Sequence, residues 1–256
     1  METVFSPADR AGAAMEGAEF LESLRRAFAR QPVQATENGF TPLSLTVAIS
    51  REAGSRGGTI ARRVGRKLGW QVYQQEFLEY LAQEPRLSRD LFDVLDDPAS
   101  AWIHQRLEQL GLSQTQTAHQ GAPFELARVI LAIGARGDAV IVGRGAGCLL
   151  PASSTLHVRI VAPLEDRITY LSQLERLTRD QAAEQVRTRD QERARFIEEH
   201  FHRLPTDIYQ YDLLVNSSHL GEDLSAELIA RAARAKLDSR GLEAGAPISA
   251  VPEPIG

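Results

Sequence analysis

Arginines set among glycines, and arginines spaced along a helix, are the residues of this 256-residue chain best suited to chemistry. The first group is Ser50-Arg51-Glu52-Ala53-Gly54-Ser55-Arg56-Gly57-Gly58-Thr59. Three glycines within five positions let the backbone take positive φ and turn successive N–H groups toward one point. A helix starting beyond them would add its own free N–H groups and the positive end of its dipole. Together these form an anion site for a phosphate chain, with Thr59 or Ser55 offering a hydroxyl to Mg2+ or to a phosphate oxygen. The common loop of this kind, G-x-x-x-x-G-K-[ST], carries a lysine, whereas Lys67 and Lys236 are the only lysines in this chain. Any cation in the loop is therefore Arg51 or Arg56, a planar fork in place of a compact ammonium. A tight turn that binds nothing is the bland alternative. The second group is Val140-Ile141-Val142-Gly143-Arg144-Gly145-Ala146-Gly147, in which an apolar run delivers one cation between glycines. In the third, Arg187 to Phe196, Arg189 and Arg193 are i,i+4 neighbours on a helix and Asp190 is the i,i+3 partner of Arg193. A solvated charged face would look the same.

The elements that position these groups alternate in type. Leu43–Ser50, Trp70–Tyr73, Ala139–Gly143, Leu156–Ala162 and Tyr211–Asn216 read as short strands, several of them apolar throughout, as strands covered on both faces are. Ile60, Val64 and Leu68 recur at i, i+4, i+8 and place a helix over 59–68. Further helices are expected at 76–83, through most of 84–135 with a polar break at 113–121, and at 164–174, 179–199 and 224–237. This order predicts a mostly parallel sheet with helices on both faces and ligands at the carboxyl ends of the strands. Residues 1–41 form a flanking segment. Phe20, Leu21, Leu24 and Phe28 share one face of a short helix there, expected to dock on the domain or on a second subunit of a homo-oligomer. From Gly241 the chain is a Gly/Pro/Ala-rich tail expected to be disordered.

A net charge of −5 argues against a nonspecific nucleic-acid surface but leaves room for a local cation cluster. No run approaches the ~18 apolar residues of a membrane span, and the N-terminus lacks a signal-peptide core. The expected setting is therefore cytoplasmic, without membrane contact. The one cysteine, Cys148, excludes an intrachain disulfide and a cysteine-rich zinc site, and reads as a core residue. His157, within a strand run, reads as a core or edge residue, and His200 and His202 lack partners at metal-ligand spacing.

SREAGSRGGTIARRVGRKLG followed by WQVYQQEFLEYLA resembles the opening of the cytidylate kinase-like family. The G-R-G-A loop at 143–146, LHVRIVAPLEDRITYL at 156–171, R-D-x-x-R-x-x-F at 189–196 and YDLLVNSS at 211–218 follow in that family's order. The resemblance spans residues 47–237 and implies a three-layer α/β fold of the P-loop NTPase type over 42–240. A helical acceptor-side insertion would lie at 76–135 and a helical lid at 176–206. It further implies an ATP-dependent phosphotransferase using Mg2+, with a nucleotide donor and a nucleoside monophosphate, (d)CMP-like, as acceptor. By the same resemblance Arg51, Gly54, Ser55, Arg56, Gly57, Gly58 and Thr59 hold the nucleotide, and Thr59 also the metal. Arg144 takes the acceptor phosphate, Arg189 and Arg193 close over it, and Asn216 to Ser218 lie near the donor base. The sequence departs from the family at Gln74, where an acid is usual, and at Gly145, where cytidylate kinases carry an aspartate. The alternative reading is a non-catalytic nucleotide-binding sensor or assembly protein.

Overall fold

The computed structural model describes residues 40–42, 44–84, 95, 97–112 and 121–243. The strands are β1 (Thr46–Arg51), β2 (Gln71–Tyr73), β3 (Ala139–Val142), β4 (Thr155–Val161) and β5 (Leu213–Asn216). They form one sheet in the order β2-β3-β1-β4-β5, and every pairing is parallel. β3 is buried along its whole length and β1 over its first four residues, which explains their unbroken apolar runs.

Eight helices lie among the described residues. α1 (Gly57–Leu68) and α8 (Ser217–Glu243) cover one face. Ile60, Ala61 and Val64 meet Ala226, Ile229 and Ala233 there, over Val47, Ile49, Val140 and Val158. Ion pairs from Lys67 to Glu227 and from Arg63 to Glu222, both at 2.8 Å, seam the two helices. The opposite face is divided. Over β2 and β3 lie α2 (Gln75–Gln83), α3 (Asp97–Gln109), α4 (Gly121–Arg136) and the single turn α5 (Ala146–Leu149). Tyr73, Leu78, Ile103, Ile130 and Ile141 form their core. α6 (Leu164–Glu175) and α7 (Arg179–Phe201) pack on each other through Ile168, Leu171, Ala182 and Val186. α7 starts at a capping box, in which Thr178 and Gln181 satisfy each other's backbone N–H groups. It then crosses above the β1–β4 half of the sheet, where Ala48, Ser50, His157 and Arg159 leave space beneath it.

Within the described residues the expected strands and helices are present with shifted ends, and residues 85–94 of the expected helical stretch lie outside them. α8 begins at Ser217, seven residues before the apolar periodicity that signalled it. Asn216 Oδ1 accepts from the Ser218 N–H at 3.1 Å, starting a turn that breaks at Gly221 (φ 70°, ψ 177°) before the long part of the helix. α7 runs two residues further than its pattern, to Phe201. The N-terminal segment 1–39, the break at 113–120 and the tail from 244 lie outside the described residues.

Candidate active site

Arg51 ends the central strand. Its side chain crosses the strand ends and reaches the turn after β3, where a Cβ on Gly143 would collide with Nη1. Gly143 (φ 81°) therefore makes room for the guanidinium as well as for the turn. The same turn holds Arg144 in the left-handed region (φ 52°), ion-paired with Glu79 of α2 and stacked 5.2 Å from the Phe196 ring of α7. Gly145 follows with φ 73°, and any Cβ there would strike the Phe201 ring at the end of α7. An aspartate at that position would require the Phe201 ring to shift.

Arg193 of α7 completes the cluster. Arg51, Arg144, Arg159 and Arg193 all line one cavity of about 240 Å³ between the sheet face, the turn after β3, α7 and residues 205–211. Burial, then the charges of Arg193 and Arg144, push the Arg51 guanidinium down to about 9, with Glu76 opposing. Burial also lowers Arg193 and Arg144 from their ordinary values. Arg144 Nε and Arg193 Nη1 are buried without a hydrogen-bond partner among the described residues, and the one bond of the Arg51 fork is a long 3.5 Å contact to Gln75 Oε1. Three cations that disfavour one another, with unused donors, have the chemistry to receive a multiply charged anion.

The loop beside this cavity has unpaired donors of its own. Gly54 (φ 77°) and Arg56 (φ 60°) turn the chain into α1, and no described protein group accepts from the N–H groups of Arg56, Gly57, Gly58 or Thr59. These donors fit a phosphate chain at a helix N-terminus. The Thr59 hydroxyl, which accepts from Arg62 at 3.2 Å, fits a metal bound to such phosphates. Aligned on the G-K-[ST] end of the common loop, Thr59 supplies the hydroxyl and Gly58 stands in the lysine's place. Arg56 points away, 4.9 Å from the Tyr170 ring, and Ser55 is buried with its hydroxyl on the Glu52 carbonyl at 2.8 Å. Gln74 reaches the Gly58 carbonyl at 3.4 Å.

The structure separates the two arginines that helical spacing placed on one face of α7. Arg193 turns to the cavity, whereas Arg189 makes a two-pronged pair with Glu175 of α6, at 2.7 and 3.1 Å. Asp190 joins the two sites instead. Its Oδ1 accepts from the Ala53 N–H at 2.7 Å and its Oδ2 from Arg167 Nη1 at 2.5 Å, pinning α7 to the glycine-rich loop. Arg167 is buried and also donates to the carbonyls of Ala162 and Ala53, so it is part of the frame. Glu52 accepts from the Ala162 N–H at 3.1 Å, and Ser217 donates to the Ser55 carbonyl at 2.8 Å. Sequence reasoning missed Asp190, Glu52, Ser50 and His157 as members of the site. Asp190 had a signal, its place in R-D-x-x-R, and Ser50 and Glu52 flanked Arg51 in the first group; His157 had none. Among the described residues no group of His, Cys, Asp and Glu side chains is arranged to hold a metal.

The sequence profile of the cytidylate kinase-like family matches residues 46–219, from β1 to the start of α8. The chain belongs to this family. No curated protein matches it. Among solved structures, an uncharacterized protein from Eubacterium ventriosum is similar over 75% of this chain and 99% of its own, at 16% identity and TM-score 0.52. At that identity the likeness shows the shared fold. Shikimate kinase from Bacteroides thetaiotaomicron (14% identity, TM-score 0.41) covers 76% of this chain and 98% of its own. TT1252 from Thermus thermophilus (21%, TM-score 0.43) covers 75% and 97%. By the family match the protein is nucleotide kinase-like, and its own fold is a parallel sheet between two helical layers.

Proposed function

We propose that the protein transfers a phosphoryl group from ATP to a nucleoside monophosphate of the CMP type. The observation that carries this reading is the convergence of Arg51, Arg144 and Arg193 on one cavity beside the glycine-rich loop. Bound Mg-ATP supplies the phosphoryl group and the metal's charge. The N–H groups of Arg56 to Thr59 hold its phosphates, and the Thr59 hydroxyl reaches its metal. Arg144 leaves Glu79 to bind the acceptor phosphate, and Arg51 and Arg193 neutralise the charge between donor and acceptor. α7 acts as the lid, excluding water, with Asp190 fixing its seat and Arg189 tying it to α6. No side chain forms a covalent bond with the substrate, so catalysis rests on position and charge.

Two features favour a second reading, a nucleotide-binding sensor without turnover. Gly58 replaces the lysine, and the Asp190 carboxylate occupies the Ala53 N–H beside the phosphate loop. Incubation with Mg-ATP and each of CMP, dCMP, UMP, AMP and GMP, following diphosphate products, decides between them. Transfer to one acceptor, lost in Arg144→Ala, is the expected result. ATP binding without transfer to any acceptor, at rates no higher than that variant's, would leave the sensor.

A further inference from the structure

α2 turns acceptors toward the arginine cluster. Gln75, Glu76 and Glu79 stand at i, i+1 and i+4 and share one face of that helix. Gln75 Oε1 is the 3.5 Å partner of Arg51, and Glu79 is ion-paired with Arg144. Glu76 is exposed and acts on both arginines through its charge. The Glu79 pair is closed by charge and left open in hydrogen bonding. Glu79 Oε1 and Arg144 Nε are both buried without a hydrogen-bond partner among the described residues.

An enclosed ion pair whose remaining protons and lone pairs are unsatisfied barely offsets the desolvation of its two charges. Such a pair gives way to a better anion. A phosphate monoester brings ~2 negative charges and three acceptor oxygens where a carboxylate brings one charge and two oxygens. The other side of the Arg144 guanidinium is held by the Phe196 ring of α7, 5.2 Å away. An Arg144 that parts from Glu79 therefore stays against α7, facing the cavity it lines with Arg51 and Arg193.

We infer that Glu79 is a positioning residue that stands in for the acceptor phosphate: its carboxylate holds Arg144 in the ligand-free protein, a phosphate monoester must displace it, and it thereby sets the affinity of that subsite. The inference rests on the acceptor reading above. Calorimetric titrations of CMP and ATP into the intact protein, Glu79→Gln and Glu76→Gln test it. Both variants remove one negative charge, and Glu79 is the one paired with Arg144. Glu79→Gln is expected to bind CMP about tenfold more tightly, the gain for an arginine held about nine-tenths of the time, with ATP unchanged within about threefold. Glu76→Gln should stay within about threefold for both nucleotides. In Arg144→Ala the gain from Glu79→Gln should vanish. Melting temperature should move the other way: ligand-free Glu79→Gln melts lower, because an enclosed guanidinium loses its counter-ion, and saturating CMP closes the gap. A merely structural role would lower stability and affinity together and would overturn the inference. So would a gain shared equally by Glu76→Gln, which would point to the general field of α2, or a gain that persists in Arg144→Ala. Unchanged CMP affinity in Glu79→Gln, with binding still lost in Arg144→Ala, would overturn it and leave the acceptor reading intact. Failure of all these proteins to bind CMP would overturn both. In a crystal of the unsubstituted protein with CMP, Glu79 should be parted from Arg144; an intact pair beside the bound phosphate contradicts the inference even if Glu79→Gln fails to fold.

Discussion

Arg51 ends a central strand with its guanidinium enclosed and two further guanidinium groups close enough to weaken its hold on a proton. An arrangement that destabilises the empty protein in order to receive an anion has a measurable signature. Arg193→Met should raise the melting temperature of the ligand-free protein by roughly 2–6 °C, since it removes a buried charge whose contact with Asp190 is only 3.9 Å. The same variant should lose the stabilisation that phosphate or CMP gives the unsubstituted protein; thermal denaturation with and without 10-fold increments of ligand reads both. The sign of the pH dependence follows from the depressed Arg51. Above pH ~9 the folded protein releases this proton while the unfolded chain still holds it. Stability of the empty protein therefore gains a rising contribution from about pH 9 upward, and anion affinity falls. Titrations of phosphate between pH 7.5 and 10 should show the fall, and Arg51→Gln should lack it. Arg144 and Arg193 were legible in the sequence because each stands in a short local pattern. His157 was not, since no local pattern tells that its face of β4 opens onto the cavity.

At the scale of elements, Asp190 makes α7 and the glycine-rich loop one unit. One carboxylate holds the Ala53 N–H and the buried Arg167. Asp190→Ala should destabilise the protein by roughly 2–3 kcal/mol in denaturant titration, because the Arg167 charge and the Ala53 N–H each lose a partner in a half-buried setting. Hydrogen exchange at the Ala53 amide should speed up in that variant while amides in β3 stay protected; unchanged exchange would show that α7 is seated by its apolar contacts alone. The elements themselves were easy to read. Apolar runs gave β1 and β3, a run interrupted by His157 and Arg159 gave β4, and the i, i+4, i+8 pattern gave α1. The orientation of α7 was harder. Arg189 and Arg193 are four residues apart and share a face in the abstract, but Glu175 on α6 draws Arg189 aside, and no local pattern reveals a partner on another helix. The early start of α8 was hidden for a similar reason, as it depends on Asn216 bonding to its own backbone.

On the scale of the whole molecule, a chain of net charge −5 concentrates four arginines around one small cavity. The sheet order β2-β3-β1-β4-β5 brings this about, since it sets the turn after β3 and the face of β4 on either side of β1. Strand order was not readable in the sequence, which gives adjacency along the chain and leaves adjacency in space to tertiary packing. The family's motif order supplied the overall architecture, and the local departures at Gly58, Gln74 and Gly145 could be interpreted only once their neighbours were in place. The central claim is that the arginine cluster recognises the phosphate of a mononucleotide acceptor. It is tested most directly by calorimetric titration of CMP and of cytidine, which lacks the phosphate, into the unsubstituted protein and Arg144→Ala. The account predicts that CMP binds at least 100-fold more tightly than cytidine and that Arg144→Ala removes most of this difference. Equal binding of CMP and cytidine, or a preference for CMP that survives in Arg144→Ala, would contradict it.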